Sequence, residues 1–171
     1  MSRAIKAMKF SGWHALARHL GDAMAAVAGQ PADAVTWVPL SRRRRARRGF
    51  DQAELLARAV ARRTGLPRLG CLRRVRDTRA QARLAAADRR SALRDAFAVV
   101  RAPPPRVLLV DDVLTTGSTA AACAESLKEA GARSVTLLAA ARSLSGPIPS
   151  RCYGMAPSGA PVEPSGTPVY H

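Results

Sequence analysis

Acidic residues, aromatics and cysteines are all scarce in this chain, and it has no long apolar run. Twelve Asp and Glu stand against 28 Lys and Arg in 171 residues, and arginine carries nearly all of the net +16. A field of that sign attracts phosphate-bearing ligands, small or polymeric. Arginine and alanine abundance can also follow from a GC-rich genome, so where the arginines fall says more than their number. With two Trp, two Tyr and three Phe, stacking platforms for nucleic-acid bases are few, and such binding would rest on phosphate contacts. The three cysteines, Cys71, Cys123 and Cys152, include no Cys-x-x-Cys pair. That scatter argues against a zinc site or a disulfide framework, and for reduced thiols in the cytoplasm. No segment approaches the roughly eighteen continuous apolar residues of a membrane helix. Residues 1–30 lack a secretory layout, because Arg18, His19 and Asp22 interrupt the Ala-rich stretch behind the basic start. The 47 % apolar content fits one globular domain with a sizeable core.

The most informative stretch is Val107 to Thr119, which reads Val-Leu-Leu-Val-Asp-Asp-Val-Leu-Thr-Thr-Gly-Ser-Thr. Val107 to Val110 is wholly apolar, the pattern of a strand buried on both faces of a parallel sheet. Asp111 and Asp112 are expected where that strand emerges from the sheet. A loop of hydroxyl residues and one glycine follows, and an Ala-rich helix begins around Ser118. Each part suits a phosphorylated sugar. Gly117 lets the backbone approach a phosphate, which the amides of the loop and first helical turn would hold with the help of the helix dipole. Thr115, Thr116, Ser118 and Thr119 offer hydroxyl donors. Asp111 and Asp112 can accept hydrogen bonds from two vicinal ribose hydroxyls. A plainer reading is a buried strand, a turn and a capped helix of any α/β protein.

The stretch resembles the phosphoribosyl pyrophosphate (PRPP) signature of type I phosphoribosyltransferases. The resemblance implies an α/β fold, a mainly parallel sheet flanked by helices. It also implies a reaction in which a nitrogen nucleophile displaces pyrophosphate from C1 of PRPP. Mg²⁺ would arrive with PRPP and neutralise the leaving group, with Asp111 and Asp112 acting on the ribose hydroxyls and the hydrated ion. No zinc is expected. His14 and His19 lie five apart on one helix and face different ways, and neither is expected in the site.

The rest of the chain alternates helices and strands. Apolar residues at Trp13, Leu16, Leu20, Met24 and Val27 predict an amphipathic helix over 11–28. Residues 34–40 alternate into a strand that Pro39 ends. The run Arg42 to Arg48, six arginines in seven residues, is read as a loop. Asp51 with Glu54 predicts a capping-box helix start, and Gly65 its end. Short strands are expected over 69–75 and 96–100, then the signature strand, a helix over 118–130 capped by Gly131, and a last strand over 135–141. Residues 143–171 hold six of the twelve prolines and four of the twelve glycines. They read as a disordered tail after a domain spanning 1–142.

A second resemblance narrows the family to its ComF-like branch, bacterial proteins linked to competence and DNA utilisation. Residues 38–54 read Val-Pro-Leu-Ser, the arginine run, then Arg-Gly-Phe-Asp-Gln-Ala-Glu; the branch carries Asn where this chain has Asp51, and either caps a helix. The resemblance implies a pyrophosphate loop at Ser41, Arg42, Arg43, Arg47, Arg48 and Gly49, and arginine forks suit phosphate oxygens. An ordinary solvated basic run is the alternative. Residues 73–97 resemble a third segment, in which Thr78 and Gln81 are candidate contacts of a loop that closes over the substrates. Ala92 stands where the branch has Asn. The cysteine-rich zinc segment that commonly begins such proteins is missing, so the chain is a short form or is cut at its start.

Other classes compete with transfer chemistry. A phosphoacceptor receiver also pairs acids after an apolar strand, but too few ordered residues follow Asp112 for one. A PRPP-binding sensor without transfer chemistry is a closer rival, because no base-recognition hood is legible before the tail. A nucleic-acid-binding protein, with a single strand along the arginine-rich surface, is the third. A homodimer is implied by analogy alone.

Overall fold

The computed structural model describes residues 15–29, 31–76 and 95–142. A helix over 15–26 (α1) leads to β1 (Ala34–Trp37), α2 (Arg42–Arg48) and α3 (Gln52–Thr64). Next come β2 (Leu72–Arg74), β3 (Phe97–Val99), β4 (Arg106–Leu114), α4 (Ser118–Glu129) and β5 (Ser134–Arg142). β1, β4 and β5 form a parallel sheet with β4 in the centre, while β2 and β3 pair antiparallel as a separate ribbon.

The apolar run of β4 is sorted by the pleat, whose period of two sends neighbours to opposite faces. Val107 and Leu109 join a core with Cys123 and Leu127 of α4 and with Cys71, Leu72 and Phe97 around the ribbon. Leu108 and Val110 join a second core with Leu56 and Val60 of α3 and with Ala17 and Met24 of α1. Both faces are covered, which is why the run does not alternate with polar residues.

Two expectations fail locally. The arginine run is not a loop but the helix α2. Ser41 caps it by accepting the Arg44 N–H at 3.4 Å, and Gly49 closes it at φ 82°, its own N–H reaching the Arg45 carbonyl at 2.7 Å. Arginine is a good helix former once both ends are capped. Repulsion is eased where Arg45 pairs with Glu54 at 3.1 Å. Second, β4 does not end at the acids. On one side its pairing with β1 stops at Trp37 and Val110. On the other, β5 carries the ladder on through Asp111↔Ala139 to Leu114↔Arg142. The acids have therefore left the sheet on the β1 side only, the side toward which the β1–α2 connection opens.

The remaining elements fall close to expectation. Asp51 caps α3 by accepting the Glu54 N–H at 3.3 Å, and Gly65 ends that helix at φ 74°. Residues 68–69 first run beside β1, with the Leu69 N–H on the Val35 carbonyl at 2.9 Å, before β2 begins. α4 ends at Glu129 with Ala130 as its C-cap, and Gly131 follows at φ 108°. The tail after Arg142 lies outside the described residues.

Candidate ligand site at the ends of the parallel strands

Three backbone segments converge beyond the carboxyl ends of β1 and β4, the crevice where open α/β sheets bind ligands. β4 delivers Asp111 and Asp112 in succession. Asp111 is 9 % exposed, and its Oδ1 accepts the Asp112 N–H at 2.9 Å. Asp112 in turn accepts the Val113 N–H at 2.8 Å through its own Oδ1. Burial, and next the charge of Asp112, push the Asp111 carboxyl up to about 7. One proton thus moves on Asp111 near neutrality, where binding a hydroxyl or a cation could shift it.

The second segment is the turn from β4 into α4. Gly117 sits at φ 74°, a conformation that disfavours side chains. As the first cap of a twelve-residue helix, it gives the first turn no side-chain cap, and no acid lies in that turn. The Ser118 N–H donates to Thr116 Oγ1 at 3.4 Å; the remaining first-turn amides and the uncompensated dipole are of the kind that suits an anion. Thr116 Oγ1 and Ser118 Oγ hydrogen-bond each other at 2.9 Å on the exposed side of the turn. Thr115, Gly117 and Thr119 line the cleft itself.

The third segment is the β1–α2–α3 connection. Asp51 is buried, and its Oδ2 accepts the Leu40 N–H at 2.8 Å while its Oδ1 caps α3. A carboxylate can accept both amides; an amide side chain has one acceptor only. Asp51 therefore closes residues 41–50 into a loop whose two ends are tied to one side chain. Burial raises the Asp51 carboxyl, and the two amides oppose that shift.

The resulting cleft encloses about 170 Å³. Asp111, Asp112 and the Thr115–Thr119 turn form one wall; Pro39, Leu40, Asp51 and Gln52 form another, and Arg44 and Arg74 close it. Of the expected arginines, Arg42 and Arg43 turn instead toward a neighbouring groove, Arg48 is exposed, and Arg47 lies in the last turn of α2. Ser41 and Gly49 serve as the caps of α2. Thr78 and Gln81 lie outside the described residues. Sequence reasoning missed Arg44, Arg74, Asp51 and Gln52. In a run of identical residues nothing marks which arginine faces inward, and Arg74 reaches the cleft only because the β2–β3 ribbon packs there. Asp51 was singled out as a cap, and its second amide partner is eleven residues away.

Asp111 and Asp112 are hard oxygen donors of the kind Mg²⁺ takes, usually as one or two carboxylates with water and substrate phosphates. Among the described residues no three His, Cys, Asp or Glu side chains are grouped to hold a metal by themselves. The donor set thus fits an ion shared with a ligand's oxygens. The thiols of Cys71 and Cys123 are free and buried in the core.

No family model matches the chain. By sequence it is 38 % identical over 115 residues to competence protein F of Haemophilus influenzae, covering 64 % of this chain and 50 % of that protein. It is 38 % identical over 119 residues to the DNA utilization protein YhgH of Salmonella typhimurium, covering 66 % of this chain and 50 % of that one. YhgH of Escherichia coli K12 gives 37 % over 119 residues with the same coverages, 66 % and 50 %. The chain spans about half the length of the curated relatives it matches. Among solved structures it superposes on the glutamine PRPP amidotransferase of B. subtilis, complexed with ADP and GMP, with a TM-score of 0.56 and 28 % identity. That match covers 74 % of this chain and 26 % of the other. A structure described as the allosteric regulatory enzyme of purine biosynthesis matches with a TM-score of 0.55, 28 % identity and the same coverages, 74 % and 26 %.

Proposed function

Starting from a ComF-like chain with a type I phosphoribosyltransferase fold, we propose that it binds PRPP with Mg²⁺ and transfers the phosphoribosyl group to a nitrogen acceptor. The bond from C1 to the pyrophosphate oxygen breaks, a C1–N bond forms, and the acceptor nitrogen gives up a proton. One observation carries the reading: a carboxylate pair and an uncapped, glycine-led helix start open into the same cleft. A phosphorylated ribose needs both ends of that arrangement.

In this reading the amides and hydroxyls of Thr115, Thr116, Gly117, Ser118 and Thr119 hold the 5′-phosphate. Asp111 and Asp112 orient the ribose hydroxyls. Arg44 and Arg74 meet the pyrophosphate, with the flanks of α2 (Ser41, Arg42, Arg43, Arg47, Arg48 and Gly49) adding field and backbone donors. These groups stabilise charge that grows on the leaving oxygen as C1 becomes oxocarbenium-like. Bound with PRPP, Mg²⁺ would supply further neutralisation of the leaving group, and Asp111 and Asp112 are the residues that would hold it. Thr78 and Gln81 are assigned to closure over the substrates. We assign the reaction to the cytoplasm, in keeping with the free buried thiols, and no described helix is long and apolar enough to cross a membrane.

The test is release of pyrophosphate from PRPP·Mg²⁺ across a panel of nitrogen acceptors. Acceptor-dependent release that vanishes in Asp111→Asn/Asp112→Asn supports transfer. Tight PRPP binding with no release for any acceptor would favour the second reading, a PRPP-responsive protein without transfer. The relatives' names favour that alternative in one respect: they state a process, competence or DNA utilisation, and no reaction.

A further inference from the structure

Beside the cleft, and sharing Arg74 with it, runs a groove of about 340 Å³. Ser41, Arg42 and Arg43 of the α2 start form one side; Arg73, Arg74, Val75 and Arg76 form the other. The two spaces differ sharply in charge balance. In the cleft, Arg44 and Arg74 stand with three carboxylates, Asp51, Asp111 and Asp112. In the groove five arginines converge, and among the described residues no carboxylate lines it. Of the described acids, Asp95 comes no nearer to Arg76 than 4.0 Å, with side-chain exposures of 69 % for Arg76 and 67 % for Asp95, a separation and exposure at which pairing contributes little.

Like charges gathered on low-dielectric walls repel one another and draw anions from solution. Arg74 is also held in place: its guanidinium lies 5.3 Å from the Phe97 ring, and its Nε donates to the Arg76 carbonyl at 3.2 Å. Among the described residues no aromatic side chain lines the groove, so these walls offer stacked bases no platform. What the walls offer is guanidinium forks, which match phosphate oxygens in pairs.

We propose that this groove is an anion subsite for a linear phosphate chain longer than pyrophosphate, one that enters past Arg74 from the cleft. Its continuity with pyrophosphate rests on the function proposed above; its own anion affinity does not. The chain could be free tripolyphosphate or the phosphate tail of a nucleoside triphosphate, the shared chemistry being three linked phosphates.

Calorimetric titration tests this with sodium tripolyphosphate, pyrophosphate, ATP and PRPP·Mg²⁺ against the intact chain, at about 150 mM salt to screen diffuse attraction. The same ligands are titrated into Arg73→Gln/Arg76→Gln, two exposed positions outside the proposed PRPP contacts. Tripolyphosphate should bind one site at least about tenfold more tightly than pyrophosphate, and lose at least about tenfold in the variant, the scale of one charge-assisted contact. PRPP·Mg²⁺ should change by less than about threefold in the same variant, since its contacts lie elsewhere. ATP matching tripolyphosphate supports a nucleotide tail, and weaker ATP supports the free chain. Equal tripolyphosphate affinity in variant and intact protein overturns the proposal. So does oligodeoxythymidylate that displaces tripolyphosphate and binds more tightly, which would make the groove a nucleic-acid track. If PRPP·Mg²⁺ fails to bind while tripolyphosphate behaves as expected, the transferase reading fails and the subsite stands.

Discussion

Asp111 concentrates the residue-scale chemistry. Folded, it keeps its proton up to about pH 7, whereas an ordinary aspartate releases it near 3.8. Between those values the native state holds more protons than the unfolded chain, so this group's contribution falls as pH rises and levels off above about 7. Asp111→Asn should therefore raise the unfolding free energy by roughly 2–4 kcal/mol at pH 8, with a smaller gain at pH 5. Urea titrations without ligand or metal at both pH values check this, and an equal gain at the two would contradict it. Arg44 carries a second prediction. Arg44→Gln should weaken PRPP·Mg²⁺ binding by at least about tenfold, while Arg133→Gln, exposed just before β5, changes it by less than about twofold. Equal losses in calorimetry would mean that net charge alone matters. Asp111, Asp112 and Gly117 were legible in the sequence because strand, acids and turn are contiguous. Arg44 and Arg74 were not, since a tertiary approach of α2 and the ribbon selects them.

At the scale of elements, local chemistry wrote most boundaries. The Asp51–Glu54 cap, Gly65 and the unalternating run of β4 placed α3 and the central strand close to where they lie. The arginine run misled because charge density suggested solvent and loop, while its caps, Ser41 and Gly49, pointed to a helix. The length of β4 past the acids was illegible because it depends on β5, whose ladder extends it. One contact between elements was equally hidden. α1 crosses α3 so closely that a Cβ at Gly21 would overlap that of Ala59. Gly21→Ala should cost about 1–3 kcal/mol, and combined with Ala59→Gly it should cost less than the sum of the two single changes. Strict additivity in chemical unfolding would place the cost elsewhere.

Across the whole molecule, a thin parallel sheet is buried by α1 and α3 on one face and by α4 and the ribbon on the other. That layering leaves the ends of β1 and β4 as the place where carboxylates, a glycine-led helix start and basic side chains meet. The α/β class was legible from the alternation of elements; the antiparallel pairing of β2 with β3 was not, because three-residue strands carry too little pattern to fix a partner. We propose residues 1–142 as the working domain. A chain ended after Arg142 should keep the unfolding free energy of the full chain within about 0.5 kcal/mol, together with its PRPP·Mg²⁺ affinity; loss of either would place part of the fold or site in 143–171. The most direct test of the central claim is calorimetric titration of PRPP with Mg²⁺ into the intact chain and into Asp111→Asn/Asp112→Asn. Saturable one-site binding, abolished in a double variant that unfolds cooperatively, is the predicted result. No binding by the well-folded intact chain would contradict it.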